Sequence, residues 1–256
     1  MPPSAASAIG IDLGSRLTKI VRVGPAGMTE AQVFDTGHDP LARLAEILEG
    51  LRAETMVATG YGRNLAKDRL PCRTVTEIRA CARAADRLGP GCQVAIDIGG
   101  QDSKVIELVA GGGFGRFEMN DRCAAGTGRF LEVMAAALGY TLDELGAEAL
   151  RADRPLELSS QCTVFAESEV VSLVARGEDR RRIALGLHRA AARRVAAMAS
   201  RVPAARRALF VGGVARNPCM VAALGEEMAC EIIVPERPEL AVALGAAWIG
   251  LDESSA

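Results

Sequence analysis

The sequence predicts an α/β protein with two related lobes. A strand–turn–strand pattern occurs once in each half of the chain, and predicted helices follow both copies. The length of 256 residues suits two small lobes or one large unit, and either can bury a substantial core. We expect an N-terminal lobe over residues 1–90 and a C-terminal lobe over residues 91–256, with a last helix at 238–251 packing back between them.

The repeated pattern is an apolar strand that ends in an aspartate, followed by a glycine turn and a second strand. The first copy contains "IDLG" (residues 11–14) and the second "IDIG" (residues 96–99). Between the copies, the apolar pattern predicts a helix at 41–52, a strand at 55–59 and a helix at 77–88. The repeat indicates that the two lobes share one architecture.

The second half of the chain is predicted to be mostly helical. Residues 120–177 follow a helical pattern that is interrupted at 154–155, and residues 180–202 form a long helix rich in alanine and arginine. The remaining predicted elements are a strand that runs into a glycine turn at 208–217, a strand at 230–235 and an alanine-rich helix at 238–251.

Composition argues against several classes of protein. The formal net charge of −2 provides no basic field for nucleic acid. Six Phe, two Tyr and one Trp leave few platforms for base stacking. No apolar run approaches the roughly 20 residues that cross a bilayer, and the first residues lack the pattern of a secretory signal. We therefore expect neither a nucleic acid nor a membrane partner.

The seven cysteines have no disulfide-framework spacing and form no CxxC pair. This usage favours thiols that are free or bound to metal, in a reducing cytoplasm. Free cysteines are commonly just buried. We expect that role for five of them: Cys72, Cys81, Cys92, Cys219 and Cys230.

Both glycine turns carry the residue types of a phosphate site. In the first turn, Gly14 lets backbone amides approach a phosphate, Ser15 adds a hydroxyl donor and Lys19 adds a positive charge. Asp12 can hold a Mg²⁺-bound water there. The second turn offers further amides and carboxylates, at Asp97, Gly99, Gly100, Gln101 and Asp102. One such turn is more often a simple hairpin, but two copies favour a pair that grips a triphosphate from both sides.

Five elements in order make the chain resemble the superfamily of actin, sugar kinases and heat-shock chaperone ATPases. They are "GIDLGSRLTK" (10–19), "TVTEIRACARAA" (74–85), "IDIGGQD" (96–102), "FVGGVARN" (210–217) and "PELAVALGAAWIG" (238–250). The resemblance implies an actin-like, ribonuclease H-like fold with two lobes around a nucleotide cleft. It also implies ATP or ADP and Mg²⁺ as ligands.

The same resemblance implies roles for individual residues. Asp12, Glu77 and Asp97 would be catalytic, with Glu77 positioning the attacking water. Gly212, Gly213 and Asn217 would line the adenosine pocket. Glu77 also has a purely structural alternative, because the helix dipole favours an acidic side chain at a helix N-terminus.

Two cysteine-containing strings distinguish this chain from kinases and chaperones. They are "MNDRCAAGTGRFLEVMA" (119–135) and "SSQCTVFAESEVVS" (159–172). Together with "ATGYGRN" (58–64) and "IDIGGQD", they resemble the BadF/BadG/BcrA/BcrD-type ATPases. That family includes the activators of 2-hydroxyacyl-CoA dehydratases and the ATPase subunits of benzoyl-CoA reductase. The resemblance implies a homodimer with one [4Fe–4S] cluster between the subunits, ligated by Cys123 and Cys162 of each.

The residue chemistry agrees with this ligand set. A cubane needs four thiolates, and two chains related by a two-fold axis supply them when each gives two. Small residues follow Cys123, and a helical apolar pattern begins soon after each cysteine. A thiolate at a helix N-terminus is stabilised by the free amides and the helix dipole. Two residues depart from the family pattern: Cys81 stands where relatives carry a histidine, and Arg16 where a small polar residue is expected.

The activity implied by the resemblance is ATP hydrolysis that drives transfer of one low-potential electron to a 2-hydroxyacyl-CoA dehydratase. Ferredoxin or flavodoxin would supply the electron. Three alternatives remain from the sequence: an ATPase subunit of a benzoyl-CoA reductase or double-cubane reductase, a small-molecule kinase on the same fold, and a non-catalytic actin-like scaffold.

Overall fold

The computed structural model describes residues 7–51, 53–159 and 162–254. Residues 52, 160 and 161, which the sequence assigned to the first helix and to the second cysteine string, lie outside the described residues. The first elements of the chain are β1 (Ala8–Leu13), β2 (Leu17–Gly24), β3 (Gly27–Asp35), α1 (Pro40–Glu49), β4 (Thr55–Thr59), α2 (Arg63–Arg69), β5 (Arg73–Thr74) and α3 (Glu77–Leu88).

From residue 92 onward, the described residues form three strands, four helices, and then two more strands that alternate with the last two helices. These elements are β6 (Val94–Ile98), β7 (Ser103–Val109), β8 (Gly113–Asn120), α4 (Gly128–Leu138), α5 (Leu142–Ala149), α6 (Thr163–Ala175), α7 (Arg180–Ala199), β9 (Arg207–Val211), α8 (Pro218–Met228), β10 (Glu231–Ile233) and α9 (Ala241–Ser254). Short 3₁₀ turns occupy Gly213–Arg216 and Pro238–Leu240.

Most predicted elements are confirmed, and five were missed. The strand at 55–59 and the helix at 77–88 have the predicted bounds. The missed elements are β3, α2, the two-residue β5, β8 and α8. Strands β3 and β8 alternate between polar and apolar residues only weakly, and both lie at a sheet edge, where burial imposes little pattern. The helical prediction at 120–177 holds for α4, α5 and α6. It was wrong at 120–127, because Asn120 ends β8 and a loop follows, and at 150–159, which contain no helix and extend beyond the predicted interruption at 154–155.

The chain forms two compact units that each contain discontinuous segments. The first unit comprises Met1–Gly91, Leu108–Gly115 and Glu239–Ala256, and the second comprises Cys92–Glu107 and Arg116–Pro238. Helix α9, which the sequence analysis placed in the C-terminal lobe, groups with the first unit. Among the described helices, none is both long and apolar enough to cross a membrane.

Two five-stranded sheets share one topology. The first has the strand order β3-β2-β1-β4-β5 and the second β10-β9-β6-β7-β8. In each, a central strand pairs with an antiparallel neighbour that follows it in the chain and with a parallel neighbour on its other side: β1 with β2 and β4, and β6 with β7 and β9. Because the carboxyl ends of parallel strands meet at one edge, each sheet has an edge where a turn and a strand end come together.

The central strands are buried along their whole length, as expected for strands covered on both faces. In the first unit, α9 packs on β1 and on α3, and its residues from Ala241 to Leu251 are all buried. Arg83 on α3 ties these helices together through Asp252, with its Nε 2.8 Å from Asp252 Oδ2. In the second unit, helices α4 to α8 cover the buried strand β6 with one apolar cluster. In each unit, the turn edge of the sheet is therefore supported by a buried central strand and by the helices packed on it.

Candidate nucleotide and metal sites

The first candidate site is the turn between β1 and β2. Asp12 and Lys19 are partners in the antiparallel ladder of these strands, and Lys19 Nζ lies 2.9 Å from Asp12 Oδ2. Asp12 is only 6% exposed, and a buried carboxylate needs such a partner. Gly14 and the exposed Ser15 follow in the turn itself. The four residues that the sequence assigned to the first turn thus lie together.

Strand β4 ends beside the same carboxylate. Thr59 is the partner of Asp12 in the parallel β1–β4 ladder, and the next residue, Gly60, has a φ of 91°. A Cβ on Gly60 would lie 2.6 Å from Asp12 Oδ1 and 2.5 Å from the backbone oxygen of Leu13. Only glycine permits this conformation and this approach without strain. The chain after β4 therefore closes tightly on Asp12.

Glu77 begins α3, which follows β5 at the same edge of the first sheet. β5 runs parallel to β4, and Thr76 caps α3 by accepting the backbone N–H of Arg79 at 3.2 Å. Glu77 is half-buried in the first helical turn. Its position at the helix start fits the structural role, and its position at the carboxyl edge of the strands fits the catalytic role.

The second candidate site is the turn between β6 and β7. Asp97 and Lys104 are ladder partners, and Lys104 Nζ lies 3.7 Å from Asp97 Oδ2 and 2.7 Å from Asp102 Oδ2. Asp97 is 4% exposed and Lys104 2% exposed. Gly99 closes the turn by donating its N–H to the backbone oxygen of Asp102 at 3.0 Å. The other predicted residues of the turn are the half-buried Gly100 and the exposed Gln101.

Lys104 is a site residue that the sequence analysis missed. Both turns read Asp-x-Gly-x-x-x-x-Lys, so Lys104 corresponds to Lys19, and this equal spacing was the available signal. The correspondence extends to the parallel neighbour strand. Gly212 follows β9 with a φ of 86°, and a Cβ there would lie 2.7 Å from Asp97 Oδ1. Each sheet thus carries an aspartate, a lysine and a closely packed glycine at one edge.

The predicted adenosine element follows β9. Gly213 begins a 3₁₀ turn, and a Cβ built on it meets nothing within 4 Å, so this backbone has an open face. Asn217 caps α8, because its Oδ1 accepts the backbone N–H of Met220 at 3.0 Å. Its Nδ2 lies 3.0 Å from Nε2 of His188. The element therefore combines Gly213, whose backbone is accessible, with Asn217, whose side chain is fixed by hydrogen bonds to Met220 and His188.

His188 on α7 was not predicted by any motif, yet it orients Asn217. Its Nδ1 lies 2.7 Å from the backbone oxygen of Ala184, which can only accept a hydrogen bond. Nδ1 therefore carries the proton, and Nε2 accepts from Asn217 Nδ2. His188 is fully buried, and this burial lowers its pKa, so that the ring stays neutral.

The two predicted metal ligands lie before helices of the second unit. Cys123 is half-buried in the loop before α4, and Cys162 is the exposed N-cap residue of α6. Helices α4 and α6 pack against each other. Within residues 7–51, 53–159 and 162–254, no cluster of three or more His, Cys, Asp or Glu side chains is arranged to hold a metal ion.

The other cysteines differ from this pair. Cys81 and Cys219 are buried, as predicted, and burial raises the pKa of the Cys219 thiol to about 12, which makes it unreactive. The remaining three, Cys72, Cys92 and Cys230, are only partly buried, so the prediction of burial holds for them in part.

The loop that carries Cys123 is tied to the second turn. Asn120 Nδ2 donates to the backbone oxygen of Cys123 at 2.8 Å. At the end of the loop, the first amides of α4 reach the turn: the Gly128 N–H donates to the oxygen of Gly99 at 2.9 Å, and the Arg129 N–H donates to the oxygen of Gly100 at 2.8 Å. These two hydrogen bonds join the turn directly to the helix that follows Cys123.

The repeated sheets, with aspartate, lysine and glycine at one edge of each, define a fold of the actin-like ATPase class. The chain belongs to the BadF/BadG/BcrA/BcrD ATPase family, whose model matches residues 9–250. It is thus an ATPase that binds ATP and ADP, and the family resemblance found in its motifs is confirmed.

Its relatives include proteins with named activities. The 2-hydroxyisocaproyl-CoA dehydratase activator of Clostridioides difficile is 38% identical over 96% of this chain and 95% of its own length. The crystal structure of component A of the Acidaminococcus fermentans (R)-2-hydroxyglutaryl-CoA dehydratase has a TM-score of 0.92 at 34% identity, over 98% of this chain and all of that one. The Clostridium difficile activator with bound ADPNP has a TM-score of 0.89 at 37% identity, over 97% and 96% of the two chains.

Proposed function

We propose that this ATPase is an activator of a 2-hydroxyacyl-CoA dehydratase, which delivers single low-potential electrons to that partner at the expense of ATP. The observation that carries the proposal is the pair of hydrogen bonds from the start of α4 to Gly99 and Gly100. They connect a phosphate turn with the loop of a candidate cluster ligand, Cys123. Activators of this kind are also the chain's relatives in sequence and structure.

The proposed nucleotide site uses the residues at the two sheet edges. Gly14 and Gly99 have no side chain, so the backbone can approach the phosphates there. Lys19 and Lys104 supply positive charge. Asp12 and Asp97 have the oxygen donors that Mg²⁺ prefers, and each lies at the edge of its sheet. When bound, Mg²⁺ neutralises part of the phosphate charge. Glu77 orients the attacking water in this proposal.

The two lysines begin from different environments. Lys19 Nζ contacts the carboxylate of Asp12 at 2.9 Å, and the amine can exchange this contact for a phosphate oxygen. Lys104 lies nearly buried near Asp97 and Asp102, so it neutralises two acids. The amine of Lys19 therefore turns to a bound phosphate more easily than the amine of Lys104. At the other end of the nucleotide, Gly212, Gly213 and Asn217 receive the adenosine.

Cys123 and Cys162 have the properties required of ligands to an iron–sulfur cluster. Both thiols are accessible, unlike Cys81 and Cys219, and both precede helices whose free amides favour thiolate. The proposal takes two thiolates from each of two chains, which completes the four ligands of a [4Fe–4S] cubane. When bound, the cluster supplies a one-electron carrier whose potential depends on charge and hydrogen bonds around its sulfurs.

The surface near Cys162 is suited to contact a second copy of the chain. Val164, Phe165 and Val171 on α6 are 67%, 68% and 54% exposed. Exposed apolar side chains of this size, grouped on the helix that begins at Cys162, are typical of an interface rather than of a free surface. In the proposed homodimer, they pack against the second chain and keep water from the cluster ligands.

The test is anaerobic purification followed by iron, sulfide and nucleotide analysis. The proposal expects about four iron and four sulfide per two chains. Cys123→Ser and Cys162→Ser should each abolish the cluster and spare ATP binding. Cys92→Ser is the matched control, since Cys92 is also a partly buried thiol, and it should retain the cluster. Iron-free wild-type protein after anaerobic reconstitution would contradict the proposal.

The partner is tested by reconstitution. Reduced protein with ATP should activate a 2-hydroxyacyl-CoA dehydratase, with ferredoxin or flavodoxin as electron source. Activation of a benzoyl-CoA reductase or double-cubane reductase instead would keep the electron-transfer chemistry and change the partner. Because oxygen oxidises clusters of low potential, we expect the protein to act in an anaerobic cytoplasm.

A further inference from the structure

We propose that Thr59 is a positioning residue for Asp12. Its hydroxyl donates a hydrogen bond to the Asp12 carboxylate when the phosphates of ATP draw Lys19 away. The inference rests on the proposed function, since it requires that Asp12 and Lys19 act at the ATP phosphates.

Thr59 lies in a row with the two residues of the first turn. It is the partner of Asp12 in the parallel β1–β4 ladder, and Asp12 is the partner of Lys19 in the antiparallel β1–β2 ladder. Side chains of ladder partners point to the same face of a sheet, on strands about 4.8 Å apart. Lys19, Asp12 and Thr59 therefore stand side by side on three neighbouring strands, with Asp12 in the middle.

The hydroxyl of Thr59 is buried and has no hydrogen-bond partner among the described residues. The residue is 0% exposed. Buried hydroxyls nearly always have a partner, and one left without a partner destabilises the fold. Stability alone therefore does not explain a threonine here, and a hydroxyl with an uncommitted proton is available to a neighbour.

Asp12 is the neighbour that comes to need a donor. Its carboxylate accepts from Lys19 Nζ at 2.9 Å, and it is 6% exposed, so little water can replace that amine. When Lys19 turns to a phosphate, the carboxylate loses this hydrogen bond. Gly60 shows how closely the end of β4 approaches, because a Cβ there would lie 2.6 Å from Asp12 Oδ1. Rotation of the Thr59 hydroxyl then keeps Asp12 oriented toward a Mg²⁺-bound water.

The second sheet provides an internal comparison. Val211 occupies the position of Thr59 there, as the partner of Asp97 in the parallel β6–β9 ladder, and it is fully buried. Valine and threonine have nearly the same shape, so this position in the fold accepts an apolar side chain. In that sheet Lys104 keeps Asp102 as a second acid at 2.7 Å. Of these two aspartates, Asp12 has a hydroxyl at its parallel ladder position and Asp97 has none. Lys19 lies 2.9 Å from Asp12, whereas Lys104 lies 3.7 Å from Asp97.

The experiment compares Thr59→Val, Thr59→Ser and wild type in three measurements. They are thermal unfolding without nucleotide, binding of a non-hydrolysable ATP analogue with Mg²⁺ or with EDTA, and steady-state ATP hydrolysis. We expect Thr59→Val to unfold at the same or a higher temperature, since it removes an unpaired buried hydroxyl. It should lose about tenfold in kcat and in the Mg²⁺-dependent gain in affinity, as expected for a hydrogen bond to a charged group. Binding in EDTA should not change, and Thr59→Ser should recover most of both losses.

Val211→Thr serves as a stability control. It places a hydroxyl at the equivalent position of the second sheet and should lower the unfolding temperature. The inference is overturned if Thr59→Val keeps the wild-type Mg²⁺ dependence and kcat, or if it unfolds at a lower temperature than wild type. A wild-type protein that fails to bind or hydrolyse ATP would overturn the proposed function, and this inference with it. An active wild type matched by Thr59→Val would overturn this inference alone.

Discussion

Lys104 faces Asp97 across the β6–β7 ladder, as Lys19 faces Asp12 across the β1–β2 ladder. The separations differ: 3.7 Å in the second sheet and 2.9 Å in the first. Lys104 is drawn toward Asp102, which it contacts at 2.7 Å. In the second sheet the motif therefore forms a three-residue ion network around the nearly buried Lys104, whereas in the first sheet Lys19 lies directly against Asp12.

This difference predicts unequal costs for removing the two lysines. Lys104→Met leaves the nearly buried Asp97 and its neighbour Asp102 without their cation, so the free energy of unfolding should fall by about 3 kcal/mol. Lys19→Met should cost only about 1 kcal/mol, because Lys19 is more exposed and Thr59 can donate to Asp12 in its place. Urea unfolding of the two variants, with unchanged m-values, measures both.

The matched pair is its own control, since each variant replaces lysine by methionine at the same ladder position. Equal losses of stability would show that the burial of Lys104 and its second acid do not matter. A larger loss for Lys19→Met would also argue against a donor at Thr59.

The open face of Gly213 predicts a change in affinity without a change in stability. Gly213→Ala introduces a methyl group where nothing lies within 4 Å, and alanine at a helical position costs no stability, with a gain of about 0.5 kcal/mol possible from the unfolded state. If adenosine occupies that face, the dissociation constant for ATP should rise about tenfold or more. Calorimetric titration and thermal unfolding test the two effects. Unchanged affinity would place the adenosine elsewhere.

The site was predictable from sequence where a local repeat carried the chemistry. Asp12 and Asp97 were found because each ends an apolar strand before glycine, and the strand–turn–strand copies are the most regular part of the chain. Lys104 has the same spacing as Lys19 but follows Asp102 by two residues. The sequence pattern assigned the carboxylates of that turn to the site and left Lys104 unassigned.

Other features depend on contacts between distant segments and leave no local pattern. Thr59 is 47 positions from Asp12 in sequence, and only the pairing of β4 with β1 brings the two together. His188 lies in an arginine-rich helix, where it is one of several buried residues. Its ring does not change the apolar periodicity of the helix, so the sequence pattern gives it no special role. The amides of α4 reach Gly99 and Gly100 through tertiary packing, which sequence spacing cannot indicate.

The buried His188 predicts acid sensitivity of the second unit. Its pKa is lowered in the folded protein from the ordinary value of 6.5 because burial disfavours the charged ring. Above pH 6.5 both states are neutral at this residue, and its contribution to stability is complete. As pH falls below that value, the unfolded chain takes up a proton that the folded chain refuses, so the free energy of unfolding declines.

The measurement is the unfolding free energy of wild type and His188→Gln between pH 7.5 and pH 5. The variant loses hydrogen bonds to Asn217 and Ala184, so it should be less stable at neutral pH, by about 1–2 kcal/mol. Its stability should nevertheless fall less steeply with acid than that of wild type. Parallel curves would mean that His188 takes up a proton in the folded protein.

A substitution at Gly128 can separate nucleotide binding from its effect on the Cys123 loop. A Cβ there would lie 3.0 Å from the oxygen of Gly99 and 3.3 Å from Cα of Gly100, so Gly128→Ala must push the start of α4 off the turn by a few tenths of an ångström. The fold should survive with a loss of about 1–2 kcal/mol. ATP should then change the reactivity of Cys123 much less than it does in wild type.

Alkylation of cluster-free protein with and without ATP, read by mass spectrometry at Cys123, measures this coupling. Gly225→Ala on α8 is the matched control, because its Cβ would meet its neighbours at an ordinary 3.6 Å, and it should keep the wild-type response to ATP. A response in Gly128→Ala equal to that of Gly225→Ala would mean that the two backbone hydrogen bonds hold the helix in place without transmitting anything from the phosphate turn. A smaller response in Gly128→Ala than in Gly225→Ala would show that the coupling depends on the close contact of Gly128 with Gly99.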